Sequence, residues 1–64
     1  MKCNVKFYVS RKVFYEPKDL KVYSFFTKGY DIQDCINRAG EKLERIVSNI
    51  NYYLDIQEIC AKEV

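Results

Sequence analysis

The chain has 64 residues, a net charge of +2, three cysteines, two glycines and no histidine. That length makes one domain, and a domain of this size buries only about 60% of its unfolded surface, so the core is thin. Without histidine the commonest general base is missing. Two glycines eleven residues apart exclude both a phosphate loop and a dinucleotide fingerprint.

Along the chain, Cys3, Val5, Phe7 and Val9 alternate with Lys2, Asn4, Lys6, Tyr8 and Ser10. This period of two predicts a strand with one apolar and one wet face. Val13-Phe14-Tyr15 either extends that strand past a bulge or forms a short strand of its own. Glu16-Pro17-Lys18-Asp19 has turn chemistry, with proline presetting φ. Leu20 to Thr27 is rich in β-formers and pairs back on the first strand as an antiparallel hairpin. Gly29 then breaks the run.

Asp31 reads as a helix N-cap, and Asp34, three residues on, suits the positive end of the helix dipole. Apolar residues follow at Ile32, Cys35, Ile36, Ala39, Leu43, Ile46, Val47 and Ile50, the spacing of an amphipathic helix that ends at Asn49 to Asn51. Tyr52 to about Cys60 alternates again and predicts a third strand, leaving Ala61-Lys62-Glu63-Val64 to fray. The expected fold is α+β: a single β-β-α-β domain spanning residues 1–64, with a small antiparallel or mixed sheet and one helix packed on one face.

Cys3, Cys35 and Cys60 are odd in number and widely spaced, with no close pair to ligate zinc. They are expected to be reduced core residues, with no metal, disulfide or cofactor. No stretch approaches the roughly 20 apolar residues of a membrane span. The first residues lack the apolar segment of a secretory signal. The expected setting is the cytoplasm of a bacterium or an infected host cell. The abundance of Lys, Ile, Asn, Tyr and Phe, which AT-rich codons encode, points to an AT-rich bacterium, phage or mobile element.

Charge is divided unevenly. Residues 1–30 carry seven basic side chains against two acids, and residues 31–64 carry four against seven. Six tyrosines and four phenylalanines exceed what one small core holds. Phe7, Tyr52 and one or two of Phe25 and Phe26 fill that core. Tyr8 opposes Phe7 by strand parity, and Tyr15, Tyr23 and Tyr30 have no core slot. Tyr8, Arg11, Lys12, Tyr15 and Tyr23, on the hairpin's outer face and loop, are therefore the candidate partner-binding residues. Tyrosine and arginine are typical anchors of protein interfaces. The expected function is non-catalytic, stoichiometric binding of a protein, with self-association through a strand edge or the open face also expected. The alternatives are single-stranded nucleic-acid binding on the same basic, tyrosine-bearing face and a purely structural assembly subunit.

The segment Thr27-Lys28-Gly29-Tyr30-Asp31-Ile32-Gln33-Asp34-Cys35-Ile36-Asn37-Arg38-Ala39 resembles the strand-to-helix joint of HicB-type antitoxin domains. Thr27, Gly29 and Ala39 match that pattern, and Ile32 and Asp34 are conservative. The resemblance implies a class of small phage or mobile-element proteins that neutralise a toxin or host enzyme by covering it. It assigns no functional residue.

Overall fold

A computed structural model describes residues 1–11, 21–47 and 54–64. The elements are β1 (Lys2–Arg11), β2 (Lys21–Lys28), α1 (Ile32–Ile46) and β3 (Leu54–Glu63). The chain order is thus β-β-α-β, a small α+β fold. The three strands form one antiparallel sheet in the order β2-β1-β3. The alternating β1 occupies the centre, and Cys3, Val5, Phe7 and Val9 are all buried under the helix. Val13-Tyr15, the turn at Glu16–Asp19 and Tyr52 lie outside the described residues.

The helix contributes Cys35, Ala39 and Leu43 to that core, one residue per turn along a single line. Two of the three are small, so the helix axis can lie close to the sheet. Ile36 and Val47 pack at the margin of the core, whereas Ile46 is exposed. The helix also ends earlier than its apolar periodicity implies. Val47 is the C-cap, with φ −118° and ψ 97°, and its N–H donates to the Leu43 carbonyl at 2.9 Å. Two β-branched residues in succession, Ile46 and Val47, favour that departure. Extended backbone at Val47 still leaves its side chain against the core.

The joint between β2 and α1 is tightly built. Thr27, buried at the end of β2, donates its hydroxyl to the Cys35 carbonyl at 3.1 Å. Asp31 caps the helix by accepting the Asp34 N–H at 2.8 Å. The Asp34 carboxylate accepts the Tyr30 N–H at 2.9 Å and the Arg38 Nε–H at 3.1 Å. The Tyr30 amide, then Arg38, hold the Asp34 carboxyl below its ordinary value of 3.8.

The third strand corrects the sequence reading twice. Residues 61–63 do not fray but pair with β1, Ala61 opposite Val5 and Glu63 opposite Cys3, and the Val64 N–H donates to the Lys2 carbonyl. The central strand offers free backbone groups along its whole length, so the pairing continues to its end. Strict alternation also fails. Tyr8 pairs with Glu58 but Val9 pairs with Ile56, which leaves Gln57 as the extra residue of a β-bulge. Its amide donates to the Ser10 hydroxyl at 2.8 Å. The bulge puts Ile56 and Ile59, three residues apart, on the same helix-side face, opposite Val9 and Phe7.

Two predictions follow from this packing. A Cβ on Gly29 would stand 2.7 Å from Asp34 Oδ2 and 2.8 Å from the Cys35 nitrogen, whereas one on Gly40 meets nothing within 4 Å. Gly29→Ala is expected to cost about 1–3 kcal/mol through overpacking. Gly40→Ala should add about 1 kcal/mol of helix stability. Thermal unfolding of the two variants would show opposite shifts in Tm. Because the Asp34 value is lowered on folding, its stabilisation is present above pH 3.8 and is lost as pH falls through the lower folded-state value. The stability gap between the native chain and Asp34→Asn is therefore expected to be widest near neutrality and to close in acid, as read by denaturant titration at a series of pH values.

Candidate binding surface

The register fixes what the uncovered sheet face presents. Residues opposite one another share a face, and those alternating with the buried β1 residues point away from the helix. Across the sheet, Lys28 stands beside Lys2, then Phe26 beside Asn4 and Lys62, then Ser24 beside Lys6 and Cys60, then Val22 beside Tyr8 and Glu58. Phe26 is 70% exposed and Val22 51%, while Tyr8 is half-buried. Lys2, Lys6, Lys28 and Lys62 are all exposed. The face is therefore apolar at Val22 and Phe26, basic at the Lys2–Lys28 end and acidic at Glu58 and at Asp55, which stands opposite Ser10.

Of the five residues singled out from sequence, Tyr8 lies on this face. Arg11 ends β1, its backbone opposite Leu54. Lys12 and Tyr15 lie outside the described residues. Tyr23 is a correction: it stands opposite Phe7, is half-buried and packs against the core, so it belongs to the helix side. The reason is β2 parity. Tyr23, Phe25 and Thr27 face inward, and Phe25 meets Phe7 edge-to-face with centroids 6.1 Å apart. Phe26 faces out, and sequence reasoning missed it as a surface residue. The signal was available in Ser24 and Lys28, two polar residues that share the parity of Val22 and Phe26 and mark it as the wet side.

A second feature escaped the sequence reading. Between α1 and the Lys28 end of β2 lies a cleft of about 570 Å³ that reaches Lys2 of the central strand and Val64, and Lys28, Arg38, Lys42 and Arg45 line it with Glu41 as its acid. The three helix cations follow i, i+4, i+7 spacing, which places them on one stripe. Lys42 Nζ donates to the Phe26 carbonyl at 3.0 Å, and Arg38 holds Asp34. That carboxylate raises the Arg38 value further and keeps the guanidinium charged. On the helix alone these basic residues make an ordinary solvated face, because their proximity to Lys28 exists only after folding.

Among the described residues, no cluster of three or more His, Cys, Asp or Glu side chains could hold a metal ion. No helix among them is long and apolar enough to cross a membrane. Cys3 and Cys35 are both fully buried, and burial, together with the neighbouring Cys35 thiol, pushes the Cys3 thiol up to about 11. Cys60 differs from the core role expected for it. It is half-buried on the open face, opposite Lys6, with its thiol 3.7 Å from Glu58 Oε1. No family model matches the chain, and neither does any curated protein or solved structure.

Burial should separate the thiols. In the native protein a thiol-specific reagent is expected to modify Cys60 rapidly and Cys3 and Cys35 only at the rate of opening. All three should react after denaturation. Equal rates in the native state would mean that the helix does not stay seated on β1.

Proposed function

We propose that the protein is a non-catalytic binding protein that covers an acidic surface of another protein with its open sheet face. The observation that carries this reading is Phe26, 70% exposed on a sheet face that also presents Val22, Tyr8 and four lysines. Burying one such side chain contributes roughly 1.5–3 kcal/mol, the scale of an interface anchor. The surrounding lysines select for negative charge and speed encounter. This mode of action suits the stoichiometric inhibitor or antitoxin class implied by the strand-to-helix joint, from a phage or mobile element.

The four lysines favour single-stranded nucleic acid as a second reading. The placement of the rings argues against it. Phe26 and Tyr8 stand on adjacent strands but four residues apart in register, about 13 Å along the strand. The row between them holds Lys6 and Ser24, so successive bases would find no continuous stacking platform. Glu58 beside Tyr8 also repels a phosphate backbone.

The test is capture of the partner from native extract, with and without nuclease. Phe26→Ala should weaken capture by about 2 kcal/mol, roughly 30-fold, and leave the helical circular dichroism unchanged. Labelled single-stranded oligonucleotides at about 150 mM salt should bind only in the non-specific range of about 10⁻⁴ to 10⁻⁶ M. Tight, sequence-selective binding to them, or capture that nuclease abolishes, would refute the protein-partner reading.

A further inference from the structure

The outer edge of β2 has no strand beside it among the described residues. Which backbone groups it offers can be read from the hydrogen bonds. The Gly29 N–H donates to the Met1 carbonyl, so the backbones of odd-numbered residues on this stretch turn toward β1. The Phe26 carbonyl turns the other way, where Lys42 reaches it. Direction alternates along a strand. Val22, Ser24, Phe26 and Lys28 therefore all turn their N–H and carbonyl groups to the free edge, and their side chains to the open face.

Beside that edge stand Arg38, Lys42 and Arg45, with Lys28 at its end. Along the helix axis the three cations are separated by about 6 and 4.5 Å. Alternate side chains of an extended chain repeat every 6.8 Å or so. A strand added to β2 would thus point every second side chain toward the helix cations and the others alongside Val22 and Phe26. Lys42 now satisfies the Phe26 carbonyl, a lysine guarding an edge against indiscriminate pairing. An incoming amide can take that carbonyl and free the ammonium for a carboxylate. A nucleic acid has no backbone to continue the ladder, and Glu41 stands among the cations.

We propose that the free edge of β2 docks an extended segment of the partner protein by β-strand addition, and that this segment alternates acidic with apolar residues. The acids lie over Arg38, Lys42 and Arg45, and the apolar side chains continue the surface of Val22 and Phe26. This rests on the protein-partner reading above and adds to it the kind of segment recognised.

The experiment uses the full chain and a short fluorescein-labelled peptide alternating glutamate and valine, followed by anisotropy at about 150 mM salt. The peptide is expected to bind, and its lysine–valine counterpart to bind at least about tenfold more weakly. N-methylation of the valine amides should abolish binding if the strand adds antiparallel, and of the glutamate amides if it adds parallel. An Arg38→Ser, Arg45→Ser double variant should lose at least about tenfold. Ser24→Pro, which removes a free-edge N–H without touching the ladder to β1, should lose as much. The methylated peptides keep the test independent of whether Ser24→Pro folds. Binding indifferent to both methylations would overturn strand addition in favour of charge alone. Light scattering that shows dimers or fibres lost in Ser24→Pro would overturn it in favour of a second copy. No binding of the glutamate–valine peptide, with Phe26-dependent capture of the native partner intact, would remove the edge and leave the protein-partner reading standing. Loss of both would remove that reading too.

Discussion

The close approach of Gly29 to the first turn of α1 is the constraint on which the rest depends. The backbone at Gly29 lies so near Asp34 and the Cys35 nitrogen that no side chain fits between them. That approach lets Thr27 bond the Cys35 carbonyl and lets the Asp34 carboxylate bond the Tyr30 amide. Together these bonds set where the helix starts over the sheet. With that start fixed, Cys35, Ala39 and Leu43 fall over the alternating residues of β1, and the small side chains of two of them allow the close packing that a thin core requires.

The same joint sets the layout of the open sheet face and of the cleft. Because Thr27 must face inward to reach the helix, Phe26 must face outward, and Val22 with it. Because the helix begins beside the end of β2 and Lys42 reaches the Phe26 carbonyl, its cationic stripe lies along the edge of that strand. The apolar side chains, the unpaired backbone edge and the row of cations therefore converge on one strand. Glu41 stands among those cations, while Asp31 and Asp34 lie at the helix start and Asp55, Glu58 and Glu63 on β3. The β2 edge thus combines positive charge with apolar surface, while β3, at the opposite edge, carries three acids against one lysine.

Core and surface residues alternate closely in a chain this small. Phe7 and Phe25 serve the core, and Phe26, next in sequence, serves the surface. Cys3 and Cys35 act as small buried hydrophobes, whereas Cys60 sits among the lysines of the open face. The lowered Asp34 carboxyl belongs to the helix start, where the Tyr30 amide and Arg38 hold it.

The sequence by itself determined the order β-β-α-β, the apolar face of β1, the N-cap at Asp31 and the break at Gly29. Each is a local property, legible from period, propensity or the chemistry of a single residue. It marked the wet side of β2 only through Ser24 and Lys28, because Phe25 and Phe26 are equally apolar, and the pairing of Phe7 with Tyr23 and of Thr27 with the helix fixes that side. It did not reveal the bulge at Gln57, which brings Ile56 and Ile59 to one side against their apparent alternation. The end of the helix at Val47 and the pairing of residues 61–63 were likewise decided by contacts with distant chain. The cleft is the clearest case. Arg38, Lys42 and Arg45 form a plain solvated stripe on an isolated helix, and they come to line a cleft only because the fold lays that stripe beside β2, an edge strand among the described residues.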